Sequence, residues 1–163
     1  MQPAQNPQIL ALSIRQPWVT LILLGLKSIE IRQWSTPFRG CIYLHAGKIA
    51  DDRPEGWALL PKDQHELTRR RGGVVGCAQL SECIVYSNAK DFQKDCQLHR
   101  NAPTWFRLPR LYGFRFEAPK IVPFHPCSGQ VKFFAVDLPP LERRRPKTLP
   151  KPAKKLVKFE IDS

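Results

Sequence analysis

Seven residues between positions 15 and 34 carry side chains suited to a phosphorylated, aromatic ligand: Arg15, Gln16, Trp18, Lys27, Glu30, Arg32 and Trp34. A guanidinium presents a planar fork of donors to a phosphate or a base edge, and an ammonium adds a point charge. A carboxylate two positions away on the same strand face, as Glu30 is from Arg32, would hold that fork in one orientation. Indole rings supply stacking surfaces, and one unpaired base stacked on an aromatic ring is worth roughly 1–3 kcal/mol, comparable with a good bidentate contact. Plainer roles compete with these. Trp18 shares helical spacing with Leu21, Ile22 and Gly25, which favours packing into a core over stacking. Glu30 with Arg32 would also make a structural ion pair. With Lys27, however, three charges meet at one helix–strand corner, a costly arrangement in a sheet wall without a ligand, so function is favoured for these three.

The elements that must position them follow from periodicity. Ala11–Ile14 is expected as a short strand, and Pro17 opens a helix of about ten residues that Gly25 stops. Ser28–Trp34 alternates, with Ile29 and Ile31 on one face, taken as core, and Ser28, Glu30, Arg32 and Trp34 on the other. After the Thr36–Gly40 turn, which carries Arg39, a third strand over Cys41–Ala46 ends near His45 and Lys48. A strand-end histidine is more often structural than ligand-orienting. Further strands are expected at Gly73–Val85, Tyr112–Glu117 and Lys132–Leu138. Helices are expected at Pro54–Leu60 and Asp63–Arg71, while Asn88–His99 is ambiguous. At least six short strands with few helices imply an α+β fold, a small closed or half-open barrel of about six strands with short helices at its rim.

Charge adds a partner class. The 163 residues hold 26 Lys+Arg against 14 Asp+Glu, a net charge of +12, which excludes an acidic solvating protein and favours a polyanion. Residues 140–163 alone carry a net +5 and five of the chain's prolines lie within 139–152, so a globular unit over 9–139 is expected to be followed by an extended basic arm. Arg143, Arg144, Arg145 and Lys147 in that arm suit sequence-independent phosphate contacts. Leu156–Ile161 alternates and would suit an edge strand. No apolar run approaches the roughly 20 residues of a membrane span, and Met1–Gln8 lacks a secretory pattern, so the chain is expected in the cytoplasm. Five dispersed cysteines without a C-x-x-C pair are expected as reduced, mostly buried thiols, and four scattered histidines suggest no metal site. No cofactor is expected, and the expected state is a monomer.

Leu12-Ser-Ile-Arg-Gln-Pro-Trp18, Gly25-Leu-Lys27-Ser-Ile-Glu30-Ile-Arg32, Trp34-Ser-Thr-Pro-Phe-Arg-Gly40 and Ile42-Tyr-Leu-His-Ala46 together resemble the ASCH domain, the family named for homology to an activating signal cointegrator. Tyr112–Pro119 and Pro126–Gly129 look like the closing strands of its bacterial form. The resemblance covers roughly 9–138. It implies a β-barrel like that of pseudouridine synthases and archaeosine transglycosylases (PUA-like), with a cleft between barrel and first helix. In the family that cleft is thought to receive RNA or another nucleic acid, and the matching cleft residues are Lys27, Glu30 and Arg32. Some members resemble amidohydrolases acting on acetylated cytidine, but Glu30 stands where they have a threonine nucleophile. Others are described as ribonucleases. Binding of nucleic acid, RNA favoured over DNA, is therefore the leading expectation. Hydrolysis of a modified nucleoside or an RNA phosphodiester, with Lys27 and Glu30 catalytic, is the alternative.

Overall fold

A computed structural model describes residues 9–141. The arm with Arg143, Arg144, Arg145 and Lys147, and the Leu156–Ile161 segment, lie outside the described residues. Among the described residues six strands form one mixed sheet: β1 (Leu10–Ile14), β2 (Ile29–Arg32), β3 (Gly40–Ala46), β4 (Gly73–Tyr86), β5 (Leu111–Pro126) and β6 (Phe134–Ala135), in the order β2-β5-β4-β3-β1-β6. β1 and β3 run parallel and the other pairs antiparallel. The strands alternate: Leu12, Ile14, Ile42, Leu44, Leu80, Phe114 and Phe116 enter the main core, while Ala11, Tyr43, Val74 and Phe134 form a second cluster on the other face.

The sheet is not laced shut. Among the described residues no ladder joins β2 to β6. Arg32 Nη2 donates to the Ser13 carbonyl of β1 at 2.7 Å, and Trp34 meets Phe133 edge-on with centroids 5.1 Å apart. Of the closed and half-open arrangements, this is the half-open one.

Helix α1 (Trp18–Leu23) has six residues, shorter than the expected ten. Gly25 adopts φ +75°, and the Leu26 and Lys27 amides both turn back to the Leu21 carbonyl at 2.9 and 3.2 Å. That curl turns Lys27 into the core. α2 (Pro54–Leu59) matches its expected position, whereas Lys62–Arg69 winds as a 3-10 helix. The ambiguous segment holds two short helices, α3 (Ala89–Lys94) and α4 (Cys96–His99); Asn88 caps the first by accepting from the Asp91 amide at 2.9 Å.

β5 is far longer than expected because its prolines fall where they are tolerated. β2 covers its outer edge only at Tyr112–Arg115, and bulges interrupt the β4–β5 ladder beyond. β6 is shorter than expected, with two laddered residues before Pro139 and Pro140, which have no amide hydrogen to donate. All five described thiols are free and half-buried, more open than expected. No helix among the described residues is long and apolar enough to cross a membrane.

Candidate nucleic-acid interface

The alternation of β2 holds and Ile29 is fully buried as expected, but the charged face turns inward as well. Ile31 packs with Tyr86, Phe92 and Leu111 in a small satellite cluster. Ile29 and Tyr86 both crowd Gly113, where an added Cβ would lie 2.8 Å from each. Glu30, Arg32 and Trp34 therefore look toward the main core and α1, the side where the sheet stays open.

Lys27 is the anchor of this face. Its side chain is 1% exposed, and its ammonium donates to the carbonyls of Ile29 at 2.7 Å and His99 at 2.6 Å while pairing with Glu30 at 3.3 Å. Burial lowers its pKa, and the Glu30 carboxylate opposes that shift. Three acceptors meet three ammonium protons, whereas a neutral amine would turn a lone pair on one of them, so the charged form fits the site. Glu30 reaches Arg32 at 3.6 Å through its other oxygen, and the Arg32 Nε is buried with no partner. Nε is thus an unmatched buried donor, while the side chain as a whole is 17% exposed, so a ligand would meet its outer guanidinium nitrogens first.

The network continues through residues that no short-range pattern singles out. The Asn101 amide donates to the His99 carbonyl at 3.3 Å, and Asn101 Oδ1 accepts from Arg53 at 3.4 Å. Arg53 pairs with Asp51 at 2.7 Å, and Trp18 Nε1 donates to the same carboxylate at 2.8 Å. The Arg53 guanidinium lies between two indoles, 3.5 Å from the centroid of Trp105 and 5.0 Å from that of Trp18. Burial pushes the Asp51 carboxyl up, but hydrogen bonds from Arg53 and Trp18 outweigh it and hold the pKa at about 2. This connected set contains three cations, Lys27, Arg32 and Arg53, against two carboxylates, Glu30 and Asp51. One positive charge is left to meet an anion.

A depressed carboxyl pKa sets a pH dependence. The stabilisation from Asp51 is complete above its unfolded value of 3.8 and is lost as pH falls through about 2. Asp51→Asn is expected to cost about 2 kcal/mol at pH 7 in urea unfolding, with mutant and wild type converging toward pH 2. A constant gap across that range would mean that the carboxylate's charge does not matter.

The remaining expected residues spread over the molecule. Gln16 is fully buried: its amide donates to the Leu67 and Arg70 carbonyls and its oxygen accepts from Thr20. Trp18 is 4% exposed and leaves little face for a base, and Trp34 is wedged edge-on between Phe114 and Phe133. His45 lies on the opposite sheet face at 1% exposure. It contacts Ser13 Oγ through Nδ1 and the Cys127 carbonyl through Nε2, both at 2.9 Å. Burial lowers its pKa against that carbonyl's pull, which keeps it neutral near pH 7. Arg15, two residues after Ser13, and Lys48 are both exposed, Arg15 lying beside Gly47 and the Lys48 stem beside Gly72. Arg39 is not brought to the cluster; it braces its own turn through the Thr36 and Phe38 carbonyls.

Sequence reasoning missed Asp51, Arg53, His99, Asn101 and Trp105. The one available signal was the interleaving of an aromatic with cations in Trp105-Phe-Arg107 and on to Arg110. Arg107, Arg110 and Tyr112 line a hollow of about 380 Å³ beside Gln33, the residue after Arg32. No group of three potential metal ligands occurs among the described residues.

Residues 12–125 match the ASCH domain family. Activating signal cointegrator 1 of Homo sapiens is 28% identical over 105 residues, which make up 58% of this chain and 18% of that protein. The Mus musculus counterpart is 32% identical over 91 residues, 51% of this chain and 15% of that one. The chain thus spans less than a fifth of the length of these curated relatives. In fold it is similar to the crystal structure of ASCH from Zymomonas mobilis, with a TM-score of 0.57 at 11% identity over 80% of this chain and 89% of that one. A single-substitution variant of the same protein gives 0.56 at 12%, over 79% and 88%.

Proposed function

Because the chain belongs to the ASCH domain family, we propose that it is a nucleic-acid-binding module, acting as a monomer, that takes single-stranded RNA along the unlaced opening between β2 and β1. One observation carries this reading: Arg32 bridges that opening while one of its buried donors lacks a partner, inside a network with an excess positive charge. Arg32 meets a phosphate. Arg15 and Lys48 extend the cationic track on one side, and Arg107 and Arg110 extend it on the other. Trp105, 37% exposed and backed by Arg53, takes the stacking role that the packed Trp18 and Trp34 leave open. Lys27 and Glu30 position Arg32 from behind. The basic arm of 140–163, with Arg143–Arg145 and Lys147, adds a sequence-independent term. RNA is favoured over DNA on the family's grounds. No observation favours the hydrolase reading with Lys27 as base, since all three of its protons are committed to acceptors.

The test is fluorescence anisotropy with a labelled single-stranded RNA and the matching DNA at two salt concentrations. Affinity is expected to fall steeply with salt, with a log–log slope of about −0.7 per phosphate contacted, and to be higher for RNA. Absence of binding to either strand at low salt overturns the proposal.

A further inference from the structure

The outer face of the sheet carries a second concavity, independent of the opening beside β2. It is an open groove of about 790 Å³ between β3, β4, β5 and the segment reaching Leu141. The register lays two rows of side chains across three strands on this face: Cys41, Gln79 and Glu117, then Tyr43, Cys77 and Lys120. Without an irregularity, residues three apart on β5 would point to opposite faces. Here Ala118 and Pro119 together oppose Ala78, a bulge that brings Glu117 and Lys120 onto one face. Ala118 holds φ +47°, a conformation that a residue with a Cβ rarely adopts and that gathers at functional sites. The far wall is fixed as well, because Tyr43 donates its hydroxyl to the Pro139 carbonyl at 2.9 Å.

The lining has a definite chemistry. Cys41 Sγ donates to Gln79 Oε1 at 3.0 Å, which orients the amide and leaves its NH₂ donors and the second lone pair of its oxygen for a ligand. Lys120 and Arg39 stand at the rim, and among the described residues neither has a carboxylate at ion-pair distance. Arg39 uses only Nη1 on its own turn. Glu117 adds an acceptor, and the Cys41 and Cys77 thiols with Leu141 supply polarizable and apolar wall. Two cations, an oriented carboxamide, a carboxylate and an apolar wall match a molecule with an anionic group at one end and a flat ring bearing both donors and acceptors at the other. A volume of this size falls within the range of small-molecule sites.

We infer that this groove is a second binding site, for a free mononucleotide. The phosphate lies on Lys120 and Arg39, an adenine on the Gln79 carboxamide, whose donor–acceptor pair complements adenine N7 and N6, and the ribose hydroxyls on Glu117. The site shares no residue with the Arg32 track, so its occupancy can be read separately.

The experiment is a ¹⁵N-correlation NMR titration of the full chain with AMP, ribose 5-phosphate and inorganic phosphate in turn. AMP is expected to shift the amides of Cys41, Cys77–Gln79, Glu117, Ala118 and Lys120 saturably, with ribose 5-phosphate weaker and phosphate weakest. Lys120→Glu and Arg39→Glu, both on exposed side chains, should each raise the AMP dissociation constant by about tenfold or more, or about 1.4 kcal/mol. Gln79→Leu should abolish the preference for AMP over ribose 5-phosphate without changing the latter's affinity. The inference is overturned if no saturable shift occurs on this face, or if Lys120→Glu binds AMP as the wild type does. It is equally overturned if the shifts move to β2 and vanish with Arg32→Ala, or if a single-stranded oligonucleotide shifts this face while AMP does not. Loss of RNA binding with AMP binding intact would instead count against the proposed function alone.

Discussion

Lys27→Met is expected to lower folding stability by about 3–5 kcal/mol, the cost of removing one partner from a buried charge pair. Methionine fills nearly the same volume, so the loss is electrostatic. It strands the carbonyls of Ile29 and His99 and leaves the Glu30 carboxylate, 15% exposed, with Arg32 as its remaining cation. With a urea m-value of about 1–3 kcal/mol per molar for a protein of this size, the midpoint should move down by at least about 1 M. Lys27→Met combined with Glu30→Gln should lose less than the sum of the single changes, because the second relieves the carboxylate left by the first. An unchanged midpoint for Lys27→Met would mean that the ammonium is not the anchor of β2 and α4, and would return it to the pool of ligand-contacting groups.

Arg32→Ala is expected to weaken RNA binding by about ten- to a hundredfold while costing only about 1 kcal/mol of stability, from the lost hydrogen bond to Ser13. Affinity and stability should separate here because the guanidinium is only partly covered and its Nε has no protein partner. The salt slope should also shrink by about one phosphate contact. Arg32→Lys keeps the charge and loses the planar fork, so it should recover part of the affinity but not all. Anisotropy titrations of the three proteins at two salt concentrations decide the matter. Equal affinities would remove Arg32 from the interface and leave the exposed cations to carry it.

The contrast between Lys27 and Arg32 marks where reading the sequence stops. Both stand in one short motif with Glu30, and the period of two places Glu30 and Arg32 on one face of β2. Which of them meets solvent depends on what crosses behind the strand. That is the His99 carbonyl, 72 residues away along the chain, which ends in the core against Lys27 Nζ. The same limit separates Trp18 from Trp105. Helical spacing marked Trp18 as a core residue, and it is one. The exposed indole comes instead from a turn that periodicity does not single out, and Arg53 reaches it across the fold.

Local chemistry in the sequence determined the strand-rich α+β class, the positions of six strands, the turn at Gly25 and the gathering of ammonium, carboxylate and guanidinium at one corner. Hydrophobic period, glycine conformation and charge spacing act over a few residues and so are legible there. Only the tertiary structure decided that the charged face of β2 looks inward, that the sheet stays half-open with Arg32 bridging the gap to β1, and that Asp51, Arg53, Asn101 and Trp105 complete the network. Contacts between residues dozens of positions apart are set by how the sheet curls and what its edges leave unpaired, and no local pattern in the chain encodes that.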